Sequence, residues 1–346
     1  MTYQYLNTLY VTLEGAYLRL DYETVRIEHE NTPIKQVPLH HLGAIMVFGN
    51  VNLSSALIHR CSEDGRSIVW LDAFGRFKAR LEGAVSGNVL LRRAQHEALS
   101  NPQSTLALAQ RFVAGKLQNL YRMLMRTART LKASDPADSE RLYHSAHLIK
   151  TSLESLPNAC SLDDLRGIEG RASKCFFEVY DCLIRVPRNQ FCCGVRSRRP
   201  PRNRVNALLS FLYTLTRSDC QSALESVGLD PQVGYLHALR PGRPALALDL
   251  MEEFRPLLAD RLALNLINLR QVQPEHFEEH LGGAVYLNPE GRKLVLTEYQ
   301  KHKQSEIPHP LLKQRVPLGL APHIQARLLA RTLRGDIPEY PPFTPR

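Results

Sequence analysis

His237 and the carboxylates that follow it, Asp249, Glu252 and Glu253, lie within one stretch, Gly228 to Pro256 (GLDPQVGYLHALRPGRPALALDLMEEFRP). A tight turn separates the histidine from a new helix that carries the acids. Carboxylates at i, i+3 and i+4 share one helical face. Hard oxygen ligands with a single imidazole suit Mg²⁺ or Mn²⁺ better than zinc. The stretch is therefore a candidate active site for phosphate chemistry. A solvated helix face would carry the same residues, so the cluster needs a second, independent sign.

That sign lies upstream, in SLDDLRGIEGRASKCFFEVYDCL. Its apolar stripe runs Leu162, Leu165, Ala172, Phe176, Val179, Leu183, and Glu169 falls inside it, four after Leu165 and three before Ala172. An ionised carboxylate buried without a counter-charge is very costly. Glu169 must be paired with a cation, protonated, or bound to an ion.

Elements long enough to position these groups are available: 346 residues can bury a substantial core and make two domains. The seven cysteines are odd in number, include the vicinal Cys192 and Cys193, and form no CxxC pair, which argues against a disulfide scaffold or a zinc knuckle and for a reducing, cytoplasmic compartment. No signal-like N-terminus and no run of eighteen apolar residues is present, so neither secretion nor membrane spanning is expected. The formal net charge is +10, and residues 1–93 hold ten Lys/Arg against nine Asp/Glu, so nearly all the excess lies beyond them. A basic surface confined to one domain suits a polyanion such as nucleic acid. Arg185 to Arg204 (RVPRNQFCCGVRSRRPPRNR) carries seven arginines and no acid. Its prolines disfavour a helix, and it reads as a phosphate-gripping loop, with a mobile basic linker as the alternative.

The expected fold class is α+β: a β-rich domain over 1–90, then a larger all-α domain over 91–346. In the first, LNTLYVTLEGAYLRLDYETVRIEHE alternates β-branched and aromatic positions around Glu14-Gly15, which has hairpin-like turn chemistry. Strands follow at IKQVPL, AIMVFG and SIVWLD. Between the last two, a short helix starts at Ser54 or Ser55 and ends at Gly65. In the second domain, Leu106 to Leu131 forms a long amphipathic helix with apolar Leu106, Ala109, Val113, Leu117, Leu120 and Leu124, and with bases such as Lys116 and Arg122 elsewhere. After a break near Pro136, a helix spans Ser145 to Ser155, and Asn206 to Thr216 is apolar nearly all round. The proline-rich tail is expected to be irregular and draped over a partner.

The strings NLSSALIHRCSEDGRSIVWLDAFGRFKARLEG, GNVLLRRAQ, LRGIEGRAS, VNALLSFLYTLT, GLDPQVGYLH and LALDLMEEFRPLLADRL together resemble the CRISPR-associated protein one family, the integrases of CRISPR adaptation, in its type I-C form. The resemblance covers essentially the whole chain. It implies a Mg²⁺- or Mn²⁺-dependent DNA integrase and endonuclease that inserts short captured DNA into a CRISPR array. A non-integrating nuclease, or a DNA-binding scaffold with an inert site, are the other readings. Matched by motif, the metal ligands would be Glu169, His237 and Glu252, with Asp249 in a supporting role; Glu253 would pair with an arginine such as Arg255 or with solvent. Arg196, Arg198, Arg199 and Arg202 would hold DNA phosphates. The β domain would form a homodimer, and two dimers would flank a dimer of CRISPR-associated protein two. Two departures from the family pattern stand out: Ser173 and Phe176 replace an alanine and a tyrosine, and Arg202-Asn203-Arg204 stands where relatives usually have an acid.

Overall fold

The computed structural model describes residues 7–81, 83, 89–197 and 199–345. Two units are distinguished, Met1–Ser86 with Leu287–Lys303, and Gly87–Tyr286 with Gln304–Arg346.

The first unit contains β1 (Asn7–Val11), β2 (Tyr17–Asp21), β3 (Thr24–His29), β4 (Thr32–Pro38), β5 (Leu42–Phe48), β6 (Asn52–Leu53), α1 (Ser55–Glu63), β7 (Ser67–Leu71) and β8 (Phe77–Arg80). These make two four-stranded sheets, ordered β1-β5-β7-β8 and β4-β3-β2-β6. Glu14-Gly15 is not a hairpin turn. It carries the chain from one sheet to the other, because β1 pairs parallel with β5 while β2 pairs antiparallel with β3. The reason lies in β5, whose Ile45, Met46, Val47 and Phe48 are all buried. A strand buried on both faces needs a neighbour on each side, and β1 and β7 supply them in parallel. The tight hairpin turns fall later, where Tyr22, Glu30 and Asn31 take φ of 50°, 49° and 62°. α1 begins as expected, with the Ser54 hydroxyl accepting from the Leu57 amide at 3.2 Å. Val11, Leu18, Val25, Ile45, Leu57 and Ile68 meet in one core.

The second unit is helical: α2 (Val89–Ser100), α3 (Pro102–Leu131), α4 (Pro136–Ser155), α5 (Leu162–Glu178), α6 (Arg204–Ser226), α7 (Ala245–Phe254) and α8 (Arg261–Asn268), followed by the ribbon β9 (Phe277–His280) and β10 (Ala284–Leu287). After α9 (Pro289–Gln304), which falls almost wholly in the first unit, come β11 (Glu306–Pro308), β12 (Arg315–Pro317) and α10 (Ala321–Leu333). α4 starts well before Ser145. Pro136 takes the first helical position, where its missing N–H costs nothing, and Asp135 accepts from the Asp138 amide at 3.1 Å. α7 and α8 are joined by a π-helical stretch, Arg255–Asp260. In an α-helix the amide of residue 256 would donate to the Glu252 carbonyl, and Pro256 has none to give, so the turn opens there.

The tail is irregular, as expected, but it packs into its own unit. Tyr340 and Phe343 are buried; Phe343 stacks on Phe254 with ring centroids 5.3 Å apart, and Tyr340 meets Phe112 at 5.2 Å. Asn119 on α3 donates to both the Glu253 and the Phe343 carbonyls, at 2.9 and 2.8 Å. Phe343→Ala should therefore cost about 3–5 kcal/mol, the range for truncating a buried aromatic, read from urea unfolding. A loss below about 0.5 kcal/mol, the scale of an exposed substitution, would mean the tail is not part of this core.

Candidate active site

Glu169 points inward from α5 and has the cationic partner its position demands. The Lys116 ammonium, from the middle of α3, donates to Glu169 Oε1 and also to Glu252 Oε2 at 2.7 Å. Ser173, one turn after Glu169, donates to the same Oε1 at 2.8 Å. The serine that departs from the family pattern thus holds the glutamate side chain. Lys116 is 3% exposed, so its charge is spent on these two carboxylates.

Glu252 lies on α7 between two cations. Arg255 Nη1 reaches both of its oxygens, at 2.9 and 3.0 Å, and the guanidinium lies 4.4 Å over the Tyr213 ring. Burial alone would raise the Glu252 pKa, but Arg255 and Lys116, with His237 acting in the same direction, hold it well below the usual carboxylate range. Gly115 sets the distance between α3 and α7. A Cβ there would sit 2.7 Å from Glu253 Cγ and 3.2 Å from Pro342 Cβ. A side chain there would press on Glu253 and Pro342, so glycine suits this close approach of α3 to α7.

His237 comes from the loop between α6 and α7. Asp249 organises that loop: its Oδ2 accepts from the Tyr235 and Leu236 amides at 2.6 and 3.0 Å, and its Oδ1 from the His237 amide at 2.9 Å. The same Oδ1 lies 2.7 Å from His237 Nδ1. A proton on Nδ1 satisfies that contact and leaves Nε2 as the lone-pair nitrogen. From the other side, Arg166 on α5 donates to the Leu236 carbonyl at 2.9 and 2.8 Å. The Pro231 carbonyl accepts from the Leu246 and Ala247 amides, and Gly234 packs so tightly on α7 that a Cβ would meet the Ala245 backbone at 2.6 Å. Asp249 is thus committed to the loop, and its role is to aim the imidazole.

The third acid of the helix has a different fate. Glu253 pairs neither with Arg255 nor with solvent; Arg255 belongs to Glu252. Glu253 is fully buried and accepts from Tyr340 Oη at 2.8 Å, the Phe343 amide at 2.6 Å and Gln325 Nε2 at 3.3 Å. Burial pushes its pKa up to about 8, against the pull of the Phe343, Tyr340 and Gln325 donors. No cation is among its partners, and hydrogen bonds alone do not offset the desolvation.

The basic loop divides. Arg196 donates to Asn206 Oδ1 at 2.7 Å, with its guanidinium over the Phe177 and Tyr213 rings, so part of its bonding capacity is used within its own unit. Arg185 and Arg188 are drawn to Asp138 at 3.2 and 2.8 Å. Arg199 and Arg202 are exposed, Arg202 keeping one bond of 2.6 Å to the Gly282 carbonyl. Arg198 lies outside the described residues.

Lys116, Arg255 and Ser173 contact the candidate site residues and Arg166 the loop that carries His237, and sequence reasoning placed none of them there. A signal existed for Lys116: it lies three after Val113 and four before Leu120, inside the stripe of its helix, as Glu169 does in its own.

Among the described residues, no three His, Cys, Asp or Glu side chains stand close enough to hold a metal ion together as they are placed. The donor set nevertheless fits a hard divalent cation. Two carboxylates from different helices already share one positive charge, and an imidazole is fixed by its far nitrogen, the arrangement that metal-ligating histidines adopt.

A strand-rich unit followed by a helical unit that gathers these groups is the architecture of one protein class. The family model described as CRISPR associated protein Cas1 matches residues 9–301, and the chain belongs to that family. It is 54% identical over 338 residues to a CRISPR-associated endonuclease Cas1 of Moorella thermoacetica, with 98% of each covered. Its fold is similar to that of a CAS1 protein from Thermotoga maritima, at TM-score 0.80 and 25% identity over 95% of this chain and 97% of that one. It is similar also to a casposase bound to integration product, at TM-score 0.83 and 20% identity over 98% and 93%. Among the described residues no helix is long and apolar enough to cross a membrane.

The Glu253 environment has a pH signature. A carboxyl whose pKa rises from 4.5 to about 8 on folding contributes stability that is complete below pH 4.5 and lost as pH climbs through 8. The loss should be on the order of several kcal/mol, and thermal melts from pH 5 to 9 should show it. Glu253→Gln should flatten the decline; an unchanged slope would place the titrating group elsewhere.

Proposed function

We propose that the chain is a divalent-metal-dependent DNA integrase and endonuclease of CRISPR adaptation. The 3′-hydroxyl of a short DNA fragment would attack a phosphodiester at the edge of a CRISPR repeat. The observation that carries this reading is the convergence of Glu169 and Glu252, from α5 and α7, on one ammonium, with His237 aimed by Asp249. Glu169, Glu252 and His237 Nε2 would hold Mg²⁺ or Mn²⁺. Bound there, the ion would polarise the phosphoryl oxygen and stabilise developing charge. The protein's own part is positional. Arg166 and Asp249 hold the imidazole loop from two sides, Ser173 holds Glu169, and Arg255 holds Glu252 in its ionised form. The attacking hydroxyl belongs to the DNA, so no protein nucleophile is needed.

Arg199 and Arg202, with the excess positive charge beyond residue 93, would hold phosphates without reading sequence. Family membership supports a homodimer that assembles with CRISPR-associated protein two. A nuclease alone would leave free ends, whereas an integrase joins labelled strands.

Glu169→Gln, Glu252→Gln and His237→Ala should each abolish strand transfer of labelled DNA while the chain stays folded. Asp249→Asn should cost about 10–100-fold, the range for a partner behind a ligating imidazole. Full activity in Glu169→Gln would remove the site. Neutralising Arg199 and Arg202 together should weaken binding to every DNA sequence and flatten log affinity against log salt by about 0.9 per lost duplex contact. An unchanged slope would take this loop off the DNA-binding surface.

A further inference from the structure

The two carboxylates assigned above to the divalent ion already share a cation that the chain itself supplies. Lys116 is almost fully buried, and its ammonium donates to Glu169 Oε1 and Glu252 Oε2. It arrives from a third helix, α3, beside Gly115, where a Cβ would press on Glu253 Cγ at 2.7 Å. Glu169 Oε1 also takes the Ser173 hydroxyl, and both Glu252 oxygens take Arg255. An ammonium held between two carboxylates meets the demand for positive charge that an ion would meet. A divalent ion binding carboxylate oxygens at about 2.0–2.6 Å requires those same side chains. The two cations would also repel each other at such range.

We infer that Lys116 is an internal competitor for the metal and a positioning residue for its ligands. It holds Glu169 and Glu252 together when no ion is bound, and is displaced from them when one binds. The inference rests on the metal-site reading above and assigns Lys116 a part in it that is neither ligand nor DNA contact. Its consequence is a cost to metal binding. The ion must take the carboxylates from a partner that is already satisfied, which keeps affinity modest.

The test is Mn²⁺ binding to the full chain without DNA, followed by calorimetry and by the paramagnetic resonance signal of free Mn²⁺, for the parent, Lys116→Met, Lys116→Arg and Glu169→Gln. Lys116→Met should bind Mn²⁺ at least about tenfold more tightly than the parent, equivalent to about 1.4 kcal/mol. Lys116→Arg, which keeps the charge, should stay within about threefold of the parent, well under that tenfold step. Without metal, Lys116→Met should melt below the parent, and saturating Mn²⁺ should remove the difference. A lysine that merely braces the ligands predicts weaker binding on its removal, and equal or weaker binding in Lys116→Met overturns the inference.

A second measurement uses the unaltered chain. Acylation of Lys116, read by mass spectrometry, should be slow without metal and rise several-fold with saturating Mn²⁺; no rise overturns the inference, and this arm decides alone if Lys116→Met does not fold. A parent that binds no Mn²⁺, or binds it undiminished in Glu169→Gln, removes the metal-site reading and the competitor with it. A parent that binds and is weakened by Glu169→Gln, but not tightened by Lys116→Met, removes only the competitor.

Discussion

Gathering carboxylates inside a helical core costs more than hydrophobic packing can easily return, and the second unit is organised around that cost. Glu252, buried on α7, and Glu169, partly buried on α5, would repel each other and lose hydration if brought together alone. Lys116 makes the arrangement possible, and Arg255 completes it on the far side of Glu252. α3 passes close to α7, which Gly115 allows, and the helical ladder opens at Pro256, immediately after Arg255. The tail joins the same α3–α7 contact through Asn119 and Glu253.

Three acids within five residues of one helix thus serve three different tasks, and what separates them is the set of donors each one meets. Asp249 meets three backbone amides and an imidazole N–H, so it acts as an acceptor that shapes a loop. Glu252 meets two cations and stays ionised. Glu253, next in sequence, meets a phenol, an amide and a carboxamide but no cation, and burial pushes it towards the neutral form. Helical periodicity places side chains on faces; it does not state which donors wait there.

That distinction explains how much could be read from the sequence. The change from strands to helices, the α1 cap at Ser54 and the inward direction of Glu169 were legible because each depends on local pattern. Glu14-Gly15 was misread because turn chemistry is local while strand pairing is not. β5 drew β1 into a parallel partnership that nothing near Glu14 encodes. Arg196 shows the same limit from the other side, since a basic run does not reveal that Phe177, Tyr213 and Asn206 converge on this arginine from elsewhere in the unit.

Lys116 is the most instructive omission. A lysine inside an apolar stripe is ordinarily discounted, because its long stem can cover hydrophobic surface while the ammonium reaches water. Here the neighbouring helices leave no such route, and the charge ends on two carboxylates instead. The face argument that singled out Glu169 applies equally to Lys116, and the two observations complete each other. An inward acid on one helix and an inward base on another are each too costly alone. The least costly fold is one in which they meet, and any third charged group brought to the same place must then enter the balance they have already struck.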